Sequence, residues 1–184
     1  MLFFTATGAR SGNMTLAVNA LFMQLYLLYS HFMDGFAYAG EALVGKYAGA
    51  ADKHSLRRCV SHLFAWGWSL AAIFAFAYGV FNHEVMSLFS DKPEVVAFAA
   101  AYRWWIALAP IAGMAAFIWD GVFVGLTATR QMLLSLAGAT AVYFAIYFLS
   151  PFPDANSSLW TAFLTYLAVR GVILWLCFAR KNEY

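Results

Sequence analysis

Five long apolar runs, at about 14–49, 60–81, 95–127, 132–149 and 159–179, leave this 184-residue chain only short polar gaps. A helix needs roughly 20 apolar residues to cross the ~30 Å hydrocarbon core of a bilayer, at ~1.5 Å of rise per residue. The runs meet or approach that length, and none shows the short alternating pattern of a closed β-barrel. Composition agrees, because 64% of the residues are apolar and 11% charged, too few charges to coat a soluble domain. The fold class is therefore all-α integral membrane, with five transmembrane helices. The gaps hold Asp52-Lys53-His54-Ser55, Asn82-His83-Glu84, Asp91-Lys92-Pro93-Glu94, Thr129-Arg130-Gln131 and the stretch 150–158 with Pro151 and Pro153. Pro93 with Glu94 reads as a helix start, proline at the first helical position and an acid in the first turn.

Basic residues are retained on the cytoplasmic side of a membrane, so their distribution sets the expected orientation. If the five spans alternate, Lys46, Lys53, Arg57, Arg58, Arg130, Arg180 and Lys181 share one side, opposite Arg10, Lys92 and Arg103. The C-terminus is expected in the cytoplasm and the N-terminus outside, in a multi-pass protein of the plasma (inner) membrane. An external N-terminus needs a preceding span, and 1–12 is too short for one. We therefore expect 1–12 to be the tail of a truncated preceding helix and 13–184 to be the bundle proper, so that the chain is a fragment or a gene truncated at its 5′ end. The net charge of +2 is too small to point to nucleic acid, leaving membrane lipid as the bulk partner. Cys59 and Cys177 lack the spacing of a zinc site or a disulfide framework, and no cofactor is expected.

An ionisable group at membrane depth costs about 2.5–3.5 kcal/mol on insertion scales and is a functional candidate by default. Asp34, Asp120 and Arg170 lie roughly 15–18 Å inside the loop ends marked by Lys46, Arg130 and Arg180, at ~1.5 Å per residue. Two readings stay open, a structural ion pair between helices or an ion or substrate site. A cluster of all three would leave a surplus negative charge able to hold a proton or a cation. Glu41, seven residues after Asp34 on the same face, is either a coupling group or a carboxylate at the wet mouth. His31 precedes Asp34 by three and is a candidate proton relay, or a histidine satisfied by a backbone carbonyl. Pro110 and Gly113 form a candidate hinge or a packing kink. Gly45 with Gly49, and Gly121 with Gly125, have the spacing of close helix contact. Trp104, Trp105, Trp160 and Trp175 sit near span ends, where an aromatic belt is expected.

Longer stretches are more specific. Asn19-Ala20-Leu21-Phe22-Met23-Gln24, Phe32-Met33-Asp34-Gly35-Phe36-Ala37-Tyr38-Ala39-Gly40-Glu41-Ala42-Leu43-Val44-Gly45, Trp119-Asp120-Gly121-Val122-Phe123-Val124-Gly125-Leu126-Thr127-Ala128-Thr129-Arg130 and Leu167-Ala168-Val169-Arg170-Gly171 resemble the multidrug and toxic compound extrusion (MATE) family, in its DNA-damage-inducible protein F branch. The resemblance implies a twelve-helix antiporter of two six-helix lobes, exchanging protons or sodium ions for small organic, often cationic, compounds. This chain would supply most of the C-terminal lobe, and its partner would be the missing N-terminal lobe. In proton-coupled members the coupling carboxylate lies in that other lobe, and no position here inherits its role. Some sodium-coupled members carry a carboxylate in the tenth helix, which Asp120 matches to within about a turn.

Two other classes are open to a chain of this composition. Asp34-Gly35 and Asp120-Gly121 begin like the motif of lipid-head-group phosphotransferases, but the rest of that motif is missing, as are G-x-S-x-G, HExxH and the P-loop, so no enzyme is expected. The alternatives to an antiporter are a lipid-linked oligosaccharide flippase of the same superfamily and a membrane fragment that does not transport.

Overall fold

The structure, a computed structural model, describes residues 12–149 and 154–180. Most of the expected helix tail at 1–12, with Arg10, lies outside the described residues, as do Pro151, Pro153 and Lys181. The helices are α1 Asn13–Gly49, α2 Lys53–Val80, α3 Asn82–Ser87, α4 Pro93–Gly125, α5 Thr129–Leu149 and α6 Ala155–Arg180. All except the short α3 are long and apolar enough to span a bilayer, and no strand occurs among the described residues. The outward faces suit lipid: Trp66 is 67% exposed, Ile73 63% and Phe148 73%. This is an all-α, multi-pass membrane bundle.

Polar residues in the gaps decide where the helices start and stop. Asp52 caps α2 by accepting from the Ser55 amide at 3.0 Å, which starts the helix at Lys53 and draws Arg57 and Arg58 into its first turns. The Ser55 hydrogen bonds also hold the Asp52 carboxyl below its ordinary range. Asp154 caps α6 through the Ser157 amide at 2.9 Å, and Pro93 opens α4. α1 and α4 end alike, each with a residue in the left-handed region just past the helix, Ala51 (φ 54) and Thr127 (φ 54). The next amides, of Asp52 and Ala128, reach back to the carbonyls of Tyr47 and Phe123, closing a Schellman motif at both ends.

α4 is the central helix. It packs most extensively on α1, and also on α2 and α6, whereas α5 rides on α6 and barely touches α4. The α1–α4 crossing is close because of glycine. A Cβ on Gly121 would collide with the Ala37 carbonyl oxygen, and one on Gly125 would stand 2.6 Å from the Glu41 carbonyl oxygen. Gly45 joins this seam against Gly125, but Gly49 has nothing within 4 Å, so only the first of that spaced pair serves close contact. Two buried tyrosines tie the helices further. Tyr29 donates to the Pro110 carbonyl at 2.9 Å, and Tyr78 donates to the Leu25 carbonyl at 2.8 Å.

Candidate functional site

Three helices turn matching stripes toward one space. Met23, Tyr26, Leu27 and Ser30 on α1 share their spacing with Phe163, Tyr166, Leu167 and Arg170 on α6, and Thr140, Tyr143 and Phe144 of α5 follow the same beat. Residues at i, i+3, i+4 and i+7 lie on one helix face, so each stripe is a wall. With Phe117 of α4 they enclose a cavity of about 520 Å³, within the ~300–1,000 Å³ typical of small-molecule sites. The rings interlock: Tyr26 meets Phe163 edge-on at 5.1 Å and Phe117 at 6.3 Å, and Tyr143 meets Tyr166 at 6.4 Å. The Tyr26 and Tyr166 hydroxyls donate to no described residue, leaving two donors available to a guest.

One end of the cavity is charged. The Arg170 Nη2 donates to Asp120 Oδ1 at 2.8 Å and lies 2.8 Å from Oδ2, a single nitrogen straddling both oxygens rather than a two-nitrogen fork. The pair is mostly shielded, at 21% and 24% exposure, and the Arg170 Nε has no hydrogen-bond partner among the described residues. Asp34 follows Ser30 by one turn on the α1 stripe and is half-buried. It lies within electrostatic reach of Asp120 and Tyr26, yet bonds to no described residue. One turn before Met23 and about one before Phe163, Asn19 Nδ2 donates to Asn156 Oδ1 at 2.7 Å, and Trp160 Nε1 donates to Asn19 Oδ1 at 2.9 Å.

Residues 1–149, α1 through α5, match the family model MatE. The chain belongs to the MatE family. It is 32% identical to DNA damage-inducible protein F of Escherichia coli (strain K12) over 92% of this chain and 37% of the relative. Protein DETOXIFICATION 45, chloroplastic, of Arabidopsis thaliana is 23% identical over 94% of this chain and 31% of its own length. Protein DETOXIFICATION 43 of the same plant is 25% identical over 91% and 32%. The chain thus spans about a third of the length of these MatE relatives.

Within this MatE bundle the candidate residues divide. Asp120 and Arg170 meet directly, and Asp34, one turn beyond Ser30 on the α1 stripe, is not part of the ion pair. Glu41 is exposed, and its backbone carbonyl lies in the α1–α4 seam. The His31 Nδ1 donates to the Leu27 carbonyl at 2.6 Å, so this nitrogen serves its own helix instead of Asp34. Pro110 and Gly113 are buried in an uninterrupted α4, Gly113 facing Leu167 of α6. Trp104 and Trp175 are exposed near span ends, at 61% and 55%. Trp160 is a correction: it is fully buried against Phe22 and Phe163, because its indole N–H finds Asn19 inside the bundle. The tyrosines of the cavity escaped the sequence reading, although the repeated stripe spacing was there to be seen. Among the described residues no group of acids, histidines and cysteines is placed to hold a metal.

Proposed function

We propose that this chain acts as the C-terminal lobe of a secondary-active efflux transporter that exchanges protons or sodium ions for small organic, often cationic, compounds. Its membership of the MatE family supports this reading, as do the names of its plant relatives. The observation that carries it is the Asp120–Arg170 pair, with Asp34 beside it, at the end of an aromatic cavity between membrane-spanning helices. Two carboxylates and one guanidinium carry one surplus negative charge in a setting where an unbalanced charge is costly. A proton, a sodium ion or a cationic compound can each cancel that surplus, but only one at a time. Competition for a single charge is the logic of exchange. Asp34 would take the arriving cation while Arg170 pairs with Asp120, and the aromatic walls would bind the apolar body of the compound. Alternating access would come from this lobe rocking against the N-terminal lobe.

The test is efflux of a cationic dye from a host lacking its own exporters. Produced together with a MatE N-terminal lobe, the chain should lower dye retention in a manner dependent on a proton or sodium gradient, and Asp34→Asn with Asp120→Asn should abolish that dependence. The chain produced alone should leave retention unchanged. Gradient-driven efflux by the chain alone, or an unaltered double variant, would defeat the proposal.

A further inference from the structure

A second hollow, of about 500 Å³, lies between α1 and α2 and shares no residue with the aromatic cavity. Its two ends differ in chemistry. Towards the α1–α2 turn it is lined by Ser55, Arg58 and His62, with Leu43 level with Arg58, and deeper along the helices by Phe36 and Trp66. Counted from the start of α2 at Lys53, Arg58 lies roughly 8 Å and His62 roughly 14 Å along the helix. Both are exposed, as is Trp66 at 67%, so two basic groups open onto the outer face of the described bundle.

Nothing in the hollow neutralises Arg58. No acid lines it, and Asp52 at the turn is committed to capping α2. Glu41 is two residues from both Ala39 and Leu43, which line the hollow, so it points to the other side of α1. Lys46 and Arg57, both exposed at the same end, add to the positive field.

We propose that this hollow binds an anionic phospholipid from the adjoining leaflet, its phosphate on Arg58 and His62 and one acyl chain running past Ala39 to Phe36 and Trp66. Basic pockets between helices at a membrane surface suit such head groups, and the bipolar lining matches a molecule charged at one end and apolar along the rest. A lipid here bridges α1 and α2 on the side that α4 leaves open.

The test is native mass spectrometry of the delipidated chain in neutral detergent, titrated with phosphatidylglycerol or phosphatidylcholine of the same acyl chains. Phosphatidylglycerol should bind about fivefold tighter or better, the scale of one basic group at a membrane surface. Arg58→Gln with His62→Gln should erase that preference. Ala39→Trp, which fills the way to the apolar end and alters no charge, should weaken both lipids. Arg103→Gln, at the far end of α4, should change neither. These are exposed positions, so the melting temperature should hold. Equal affinity for the two lipids, a preference that survives the double variant, or equally tight binding of inorganic phosphate without lipid would overturn the proposal.

Discussion

Gly121 has no room for a methyl group. Its added Cβ would meet the Ala37 backbone, which cannot swing aside as a flexible side chain would. Gly121→Ala should therefore destabilise the bundle by about 1–3 kcal/mol, the usual cost of overpacking, while Gly49→Ala, with open space around it, should be close to neutral. Thermal unfolding in detergent, read by circular dichroism, separates the two, and equal effects would show that the seam is not tight. The ion pair shows how far single residues can be read. Counting along each span puts Asp34, Asp120 and Arg170 at one depth, because rise per residue is nearly constant. Azimuth is different: which acid faces Arg170 depends on how the helices rotate against one another, and the α1–α4 glycine seam decides that rotation. Asp120 won the contact. His31 turned to its own helix for a local reason: a carbonyl four residues back is always within reach.

At the scale of elements, the spans were legible from apolar length alone, and the ends were less so. The apolar run of the second span begins near residue 60, but α2 begins at Lys53, because a helix starts where a cap is available and not where hydrophobicity begins. That cap has a pH signature. With its folded pKa held below the ordinary 3.8, the Asp52 contribution is complete above that value and is lost as pH falls through the lowered one. The far end of α1 offers a sharper test. Ala51 occupies a left-handed conformation that costs an L-residue roughly 1–2 kcal/mol, partly offset in glycine by lost chain entropy. Ala51→Gly should raise stability by up to ~1 kcal/mol in the same unfolding assay, and a loss of stability would mean that the Schellman turn does not form. The cavity walls were written in the sequence too, as three stripes of one spacing. They were hard to single out, since an apolar aromatic at helical spacing is as much at home against lipid as around a cavity.

For the whole molecule, orientation is the property that residue counting predicts and packing does not. In a variant lacking Cys59 and Cys177, a cysteine at Ser55 should resist an impermeant maleimide added to intact cells and react once the cells are opened. Labelling from outside would invert the bundle. The packing carries a different message. α1, α2 and α4 are bound by the glycine seam and by tyrosine hydroxyls on backbone carbonyls, whereas α5 leans on α6 and has little purchase on α4. Among the described helices, then, α5 is held along one edge, by α6. The opening at Thr140 and Tyr143 is therefore bounded on one side by a helix whose place depends on a single neighbour, while the frame of α1, α2 and α4 is set by backbone contact.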